Sequence, residues 1–239
     1  MTSNRPADNS SGTLSSLSVA AHHLKSPVAG ALSMLDLLTG EYAGPLTDKQ
    51  RELLARIDAR CREAVESAQR VMDIERLRSE GLPGSGPTDL PEPVSELQSR
   101  FSDALAQHDV SLEVTRDTDN APVPGPASLW KRVLAALIEN SIAFAPAGGT
   151  IRISLEREGN EVRIAVEDSG PGIPPDARDE VFTCFHRTAR PRKGDRPGAG
   201  LGLSLVKAVT EAAGGSVTIG ESPLGGAAVR LAVPAAAQS

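Results

Sequence analysis

The stretch IRISLEREGNEVRIAVEDSGPG, residues 151–172, decides the fold class of this 239-residue chain. Apolar and polar residues alternate over 151–156 and again over 162–167, which is the pattern of two half-buried strands. The Glu-Gly-Asn between them, at 158–160, is typical of a β-hairpin turn. The pattern therefore predicts an antiparallel strand pair that runs directly into a glycine-containing loop.

The residues on either side of this hairpin predict a domain of the α+β class. Helical periodicity and strand alternation occur both before and after it, so helices and strands are mixed along the chain. The predicted elements are a helix over 93–108, a strand over 110–116, a helix over 127–145, the hairpin, a helix over about 201–213 and strands near 216–220 and 227–233.

The first 80 residues follow a different pattern. Apolar residues recur at alternating spacings of three and four over more than three heptads, which is typical of a coiled-coil or bundle helix. Pro27 lies inside this helix and is expected to kink it. GEYAGPL at 40–46 breaks the pattern, and Thr47 with Gln50 resembles a capping box for a second helix that runs to about Ser79. The repeating residues are Leu14, Leu17, Ala21, Leu24, Val28, Ala31, Leu35 and Leu38.

Two such helices predict an antiparallel hairpin. A lone hairpin cannot cover both apolar faces, whereas two copies can do so as a four-helix bundle, so we expect a homodimer. The second helix contributes Leu53, Leu54, Ile57, Cys61, Ala64, Val65, Ala68, Val71, Met72 and Ile74. The predicted organisation is a disordered tail over 1–12, the hairpin over 13–79, a Gly-, Pro- and Ser-rich linker over 80–88 and the α+β domain over 89–235.

Composition excludes several classes of protein. The net charge of −6 and the pI near 5.3 give no overall positive field for nucleic acid or anionic lipid. Two cysteines cannot form a disulfide framework, which favours a reducing compartment. The polar start and the absence of a long apolar run predict no signal peptide and no transmembrane segment. We therefore expect a cytoplasmic protein.

Four short segments of the α+β domain carry candidate chemistry. They are LIENS (137–141), DSGPG (168–172), FTCF (182–185) and GAGLGL (198–203). Each segment taken alone has an ordinary structural explanation. In the order given, these are a helix surface, a turn, aromatic residues of the core and a loop in which glycines adopt a positive φ. Their order favours a nucleotide site. The Rossmann and P-loop alternatives fit poorly, because no strand immediately precedes the glycines and no G-x-x-x-x-G-K-[ST] is present.

The residue types suit a nucleotide. Glycines let the backbone approach phosphates, and the amino end of the helix that follows offers N–H donors. The amide oxygen of Asn140 can bind Mg²⁺ beside waters and phosphates. The carboxylate of Asp168 can accept a hydrogen bond from the exocyclic amine of adenine.

Together the four segments resemble the N, G1, F and G2 boxes of the sensor histidine kinases. The ATP-binding fold of that family is shared with gyrase, a heat-shock chaperone and mismatch-repair ATPases. AHHLKSP at 21–27 resembles the H box, S-H-E-L-R-T-P, and the resemblance covers roughly residues 14–234. It implies a hairpin that forms a dimeric four-helix bundle, followed by an α/β-sandwich ATP-binding domain.

The resemblance also implies roles for particular residues. His22 matches the phosphoacceptor, and an imidazole with a pKa of ~6.5 is a neutral nucleophile at pH 7. His23 stands where the family has an acidic residue that assists as a base. Ser26 matches the position that helps to position water when the partner is dephosphorylated. Asn140 matches the Mg²⁺ ligand, Asp168 matches the adenine-recognising residue, and the nucleotide loops correspond to Gly170, Gly172, Gly198, Gly200, Leu201 and Gly202.

Residues 186–196 lie between the F and G2 boxes and correspond to the mobile ATP lid. This segment is basic, and its cations are expected to contact phosphate. They are Arg187, Arg190, Arg192, Lys193 and Arg196.

The predicted function is ATP-dependent autophosphorylation of His22, followed by transfer to an aspartate on a response-regulator receiver domain, with possible dephosphorylation of that partner. Three departures from the family pattern, His23, Ala136 and Ala143, leave open a degenerate member that acts as a dimeric phosphotransfer or receiver-binding scaffold. A serine-directed kinase of the anti-sigma type lacks the hairpin and the H box. A nucleic-acid-binding module is disfavoured by the charge.

Overall fold

A computed structural model of the chain describes residues 10–40, 44–84, 86–186 and 199–237. The chain divides into two compact units, Met1–Arg76 and Leu77–Ser239.

The first unit is built from two long helices, α1 (Ser10–Thr39) and α2 (Asp48–Glu80). The last turn of α2, from Leu77 onward, is assigned to the second unit. Lys25 Nζ donates to Gln69 Oε1 at 2.9 Å, and Arg62 Nη2 lies 3.8 Å from Asp36 Oδ1. Asp36 follows Lys25 in α1, whereas its partner Arg62 precedes Gln69 in α2. The two helices therefore run in opposite directions, which confirms an antiparallel hairpin.

The start of α2 is the predicted capping box. The Thr47 N–H donates to Gln50 Oε1 at 2.9 Å, and the Gln50 N–H donates to Thr47 Oγ1 at 3.3 Å. The start of α1 differs from the prediction, because the helix begins at Ser10 and residues 10–12 are helical rather than part of a tail. The apolar repeat begins only at Leu14, so its periodicity could not reveal the polar first turn of the helix.

The second unit contains a five-stranded sheet in the order β2-β4-β5-β7-β6. Strand β2 runs parallel to β4, and all other neighbours are antiparallel. The 151–168 hairpin forms as predicted, as the central strands β4 and β5. The strands are β2 (Val110–Arg116), β4 (Gly149–Glu158), β5 (Glu161–Asp168), β6 (Ser216–Glu221) and β7 (Ala227–Pro234).

Helices cover one face of this sheet, which makes a two-layer α/β sandwich. The strand residues that face the helices, such as Ile153 and Ile164, are fully buried, while their neighbours Ser154 and Arg163 are not. Trp130 is also fully buried, and its indole N–H donates to Pro124 O at 2.8 Å. The helices are α3 (Pro91–Arg100), α4 (Ser102–His108), α5 (Ala127–Phe144) and α6 (Gly202–Ala212).

One predicted helix, 93–108, is two helices. Phe101 separates α3 from α4 because its ψ of 1° departs from the helical value. The Ser102 hydroxyl donates to Ser99 O at 2.9 Å across this break.

The end of the predicted linker belongs to the second unit. A two-stranded ribbon pairs β1 (Thr88–Asp89) with β3 (Pro122–Val123). The buried Thr88 hydroxyl donates to Gly125 O at 2.7 Å. Thr88 is therefore a structural residue of this unit and not a linker residue.

None of the helices in the described ranges combines the length and the apolar character needed to cross a bilayer.

Candidate active site

The site is centred on Asp168, the last residue of β5, which is 9% exposed. Its Oδ1 accepts the Gly170 N–H at 2.8 Å and the Ala227 N–H at 3.1 Å. Burial raises the pKa of Asp168 above its usual range, and the hydrogen bonds from Ala227, Gly170 and Ser141 oppose that rise. Two backbone amides therefore hold one oxygen of the carboxylate, and the other oxygen, Oδ2, accepts no backbone amide among the hydrogen bonds of the described residues.

Glycines line this carboxylate because a larger residue would collide with it. A Cβ on Gly226 would collide with Asp168 Oδ1 and with the Gly170 N–H, and a Cβ on Gly170 would lie 2.9 Å from Asp168 Oδ1. Gly172 has a φ of +73°, and its Cβ position is 3.4 Å from Gly226 O. The predicted Gly170 thus lies beside Asp168, together with Gly226, which sequence reasoning did not assign, and the predicted Gly172 lies against Gly226.

Helix α5 brings the second predicted segment to Asp168. Ser141 is 5% exposed, and its hydroxyl lies 3.5 Å from Asp168 Oδ2. The adjacent Asn140 is half-buried, and its Nδ2 lies 3.8 Å from the Cβ position of Gly202, the first residue of α6. Glu139 is exposed. Asn140, Asp168 and Gly202 are thereby brought to one region of the domain.

Ala136 lies one turn before Asn140, where helices α5 and α6 meet. Its Cβ is 3.5 Å from the Cβ position of Gly202. The departure from the family pattern at this position therefore falls at a packing contact beside the glycine loop.

Before α6, two backbone segments, around Phe185 and around Gly200, lie against each other. The Phe185 N–H donates to Gly200 O at 2.9 Å. Phe185 and Gly200 both have a positive φ, 66° and +70°, and a Cβ on Gly200 would lie 2.8 Å from His186 O. Leu201 is buried directly before α6. Gly200 is therefore required both by its φ and by the close approach of the 185–186 backbone.

Several predicted residues lie outside the described part of the chain. They are Gly198 and the five lid cations, Arg187, Arg190, Arg192, Lys193 and Arg196. Of the lid, His186 is described, and it is half-buried with Nδ1 4.0 Å from Glu180 Oε2.

The predicted phosphoacceptor segment lies in α1. His22 is helical, and its side chain falls outside the described atoms. His23 and Ser26 are exposed on the same helix. Ala21 is buried, in keeping with its place in the apolar repeat.

The groups of the site fit a nucleotide. Asp168 Oδ2 offers an acceptor next to glycines whose missing side chains leave room for a ligand, and the N-terminus of α6 opens beside Asn140. In the described ranges no cluster of three or more His, Cys, Asp or Glu side chains could hold a metal ion. The amide oxygen of Asn140 is nevertheless a ligand type that Mg²⁺ accepts beside phosphate and water oxygens.

Two family models match the chain. Residues 125–237 match "Histidine kinase-, DNA gyrase B-, and HSP90-like ATPase", and residues 15–80 match "His Kinase A (phospho-acceptor) domain". Together they cover most of the sequence.

Curated relatives align with most of the chain. The chain is 32% identical over 217 residues to the sensor-like histidine kinase SenX3 of Mycobacterium tuberculosis, which covers 90% of this chain and 52% of that protein. It is 28% identical to the alginate biosynthesis sensor protein KinB of Pseudomonas aeruginosa, over 90% of this chain and 36% of that protein. The chain thus spans about half or less of the length of these relatives.

Solved structures share the fold. Full-length ShkA in complex with AMPPNP superposes with a TM-score of 0.77 at 24% identity, over 94% of this chain and 47% of that one. The nucleotide-free catalytic domain of the histidine kinase ThkA gives a TM-score of 0.55 at 26% identity, over 62% of this chain and 95% of that domain.

The contact between Gly226 and Asp168 generates a prediction. Gly226→Ala should abolish measurable nucleotide binding, because the new methyl group displaces the carboxylate that its amide neighbours hold. Calorimetric titration with ADP measures the loss. Gly225→Ala is the matched control, since it strains the same turn at a φ of +98° but has no atom within 4 Å of its Cβ position. Equal affinities of Gly226→Ala and wild type would refute the arrangement.

Proposed function

This chain belongs to the histidine kinase family, and on that basis we propose that it is an ATP-dependent protein histidine kinase. In this proposal it autophosphorylates on His22 and passes the phosphoryl group to an aspartate on the receiver domain of a response regulator. The observation that carries the proposal is the Asp168 carboxylate, which two amides hold by one oxygen beside a glycine-lined space.

Nucleotide binding is assigned to the second unit. Asp168 Oδ2 accepts the adenine amine, and the backbone approaches the ligand at Gly170, Gly172, Gly200 and Gly202. Leu201 lies between the last two, and Gly198 is assigned to nucleotide binding by its place in the sequence motif alone. The eleven-residue helix α6 directs its first N–H groups toward phosphate. Asn140 holds Mg²⁺, which neutralises phosphate charge when it is bound.

Phosphoryl transfer is assigned to the H-box residues of α1. The unprotonated ring nitrogen of His22 attacks the γ-phosphorus, so that an N–P bond forms while the bond to the β-phosphate oxygen breaks and ADP leaves. The proton on the other ring nitrogen must then leave, and His23 is its proposed acceptor. Ser26, one helical turn after His22, is proposed to position the water that hydrolyses the aspartyl phosphate of the phosphorylated partner, releasing inorganic phosphate.

An intact Asp168 site favours a kinase over a degenerate scaffold. Ala136 and Ala143 replace residues of the family pattern, but neither takes part in the hydrogen bonds that hold Asp168. A scaffold that had lost ATP use would have no need for the glycines that fit around this carboxylate.

We further propose a homodimer in the cytoplasm. Apolar side chains of both hairpin helices are exposed in the single chain, among them Met34 at 68% and Ile57 at 50%. A second hairpin would cover them as a four-helix bundle. A reducing compartment that also supplies ATP is part of this proposal, since the two cysteines of the chain cannot form a disulfide framework.

His22→Ala should abolish labelling by γ-labelled ATP while ADP affinity stays unchanged, because the phosphoacceptor and the nucleotide site belong to different units. The product in wild type should be acid-labile and base-stable, as expected for a phosphoramidate. His23→Ala is the control and should label more slowly than wild type but to a clear extent. Labelling of His22→Ala together with no labelling of His23→Ala would place the phosphoacceptor at His23 instead.

Ile57→Glu should shift the protein from dimer to monomer, because it would bury a charge in the proposed bundle. Sedimentation equilibrium measures the change, and Arg56→Glu, at the adjacent exposed position, is the matched control. An Ile57→Glu protein that dimerises as tightly as Arg56→Glu would contradict the proposed interface.

A further inference from the structure

The side chain of Arg178 connects the 169–174 loop, which follows Asp168, to the sheet. Arg178 comes directly after a single turn of 3₁₀ helix, and its side chain is 25% exposed. Its Nε–H donates to Ile173 O, five residues earlier, at 3.1 Å. Its Nη2 lies 3.6 Å from Oε1 of Glu221, the last residue of β6. One guanidinium therefore contacts both the loop and the strand end beside it.

The 169–174 loop has few other hydrogen bonds to hold it. Two of its six residues, Pro171 and Pro174, carry no N–H. Within the described part of the chain, the backbone of residues 171–173 makes one hydrogen bond, in which Ile173 O accepts from Arg178. The outer half of the loop is therefore fastened mainly by this arginine.

The strand end that Arg178 reaches is fixed without it. The turn between β6 and β7 is closed by the Ser222 N–H, which donates to Gly226 O at 2.9 Å. Directly before this turn, Glu221 O accepts a hydrogen bond from Arg230 Nη2 at 3.2 Å. The β6–β7 turn is thus a firm support to which a less constrained loop can be attached.

The loop and the turn also approach each other closely. The Cβ position of Gly172 is 3.4 Å from Gly226 O, so two backbone segments pack together without side chains between them. Such a contact contributes little attraction by itself, because few atoms take part. A side chain that bridges the two segments can therefore decide how often they separate.

We propose that Arg178 is a positioning residue that fastens the 169–174 loop to the β6–β7 turn before a nucleotide binds. In the fastened position the Gly170 N–H donates to Asp168 Oδ1. A loop that is already in place does not have to be ordered by the ligand, so Arg178 increases nucleotide affinity through the loop. The effect on affinity rests on the proposed ATP-binding function, whereas the fastening itself requires no nucleotide.

The hydrogen bond contributes more to this role than the ion pair. The Glu221 side chain is 88% exposed, and ion pairs with so much solvent around them contribute little. The bond to Ile173 O comes from a charged and mostly buried donor, and charge-assisted bonds are stronger than neutral ones. Loss of the guanidinium should therefore increase detachment of the loop about threefold to tenfold, the usual range for one hydrogen bond.

Hydrogen exchange of the ligand-free full chain, followed by NMR, tests the fastening. Arg178→Met keeps the apolar stem without the donors, and exchange of the Gly170 amide should become about threefold to tenfold faster. The amide of Ile164, in the middle of β5, reports the stability of the whole unit and should exchange as in wild type. Arg178→Lys keeps a charged donor and should give a rate between those of Arg178→Met and wild type.

Calorimetric titration with ADP tests the consequence for binding. Arg178→Met should bind ADP about threefold more weakly than wild type, because the loop is detached in part of the free protein, and Arg178→Lys should recover part of the loss. Arg163→Ala is the matched control. It removes a guanidinium that pairs with Glu158 and Glu161 near the other end of β5, and it should match wild type in Gly170 exchange and in affinity.

Three results would overturn the inference. The first is unchanged Gly170 exchange in Arg178→Met, and the second is equal acceleration at Gly170 and Ile164, as expected if Arg178 merely stabilised the whole unit. The third is an ADP affinity of Arg178→Met equal to that of wild type. If Arg178→Met does not fold, Arg178→Lys must still exchange faster than wild type at Gly170. Failure of wild type to bind ADP would refute the proposed function instead, and the exchange rates would still decide whether Arg178 fastens the loop.

Discussion

A carboxylate buried at the end of a central strand has to be stabilised, or it takes up a proton and loses its use as an acceptor. Asp168 is stabilised by two backbone amides that belong to different segments, Gly170 in the loop after β5 and Ala227 at the start of β7. Most features of the site follow from this arrangement. The amides fix the orientation of the carboxylate and both donate to the same oxygen, Oδ1. Their close approach leaves no room for a Cβ at 170 or 226, so both positions require glycine.

The sheet supplies the geometry for this arrangement. Strands β5 and β7 pair with Glu167 opposite Ala228, which brings the Ala227 N–H to a residue 59 positions earlier in the chain. The Gly226 N–H also donates to Asp168 O at 3.1 Å and so closes the end of the strand pair. Helix α5 lies against the same sheet and carries Asn140 and Ser141 to this end. A one-residue slip between β5 and β7 would therefore dismantle the site.

Local signals in the sequence predicted local structure well. The alternation over 151–167 predicts β4 and β5, the Thr47–Gln50 pair predicts the start of α2, and the glycine motifs predict where the loops of the site lie. The break at Phe101 was not predictable, because it depends on one backbone angle within a continuous helical pattern. The contacts of Gly226 and Ser141 with Asp168 were also missed, since each forms across the fold. Gly225-Gly226 directly before a predicted strand was the available signal for the first of them.

The central claim is that Asp168 selects the nucleotide through its free oxygen, and Asp168→Asn tests it most directly. The amide oxygen of asparagine can still accept from Gly170 and Ala227, but an NH₂ donor then replaces Oδ2 and faces the adenine amine. Calorimetry of the folded variant should show ADP affinity reduced by about tenfold or more, as expected for loss of a charged acceptor. Asp103→Asn, an exposed carboxylate on α4, should leave the affinity unchanged. An Asp168→Asn protein that is folded and binds ADP as tightly as wild type would contradict the account.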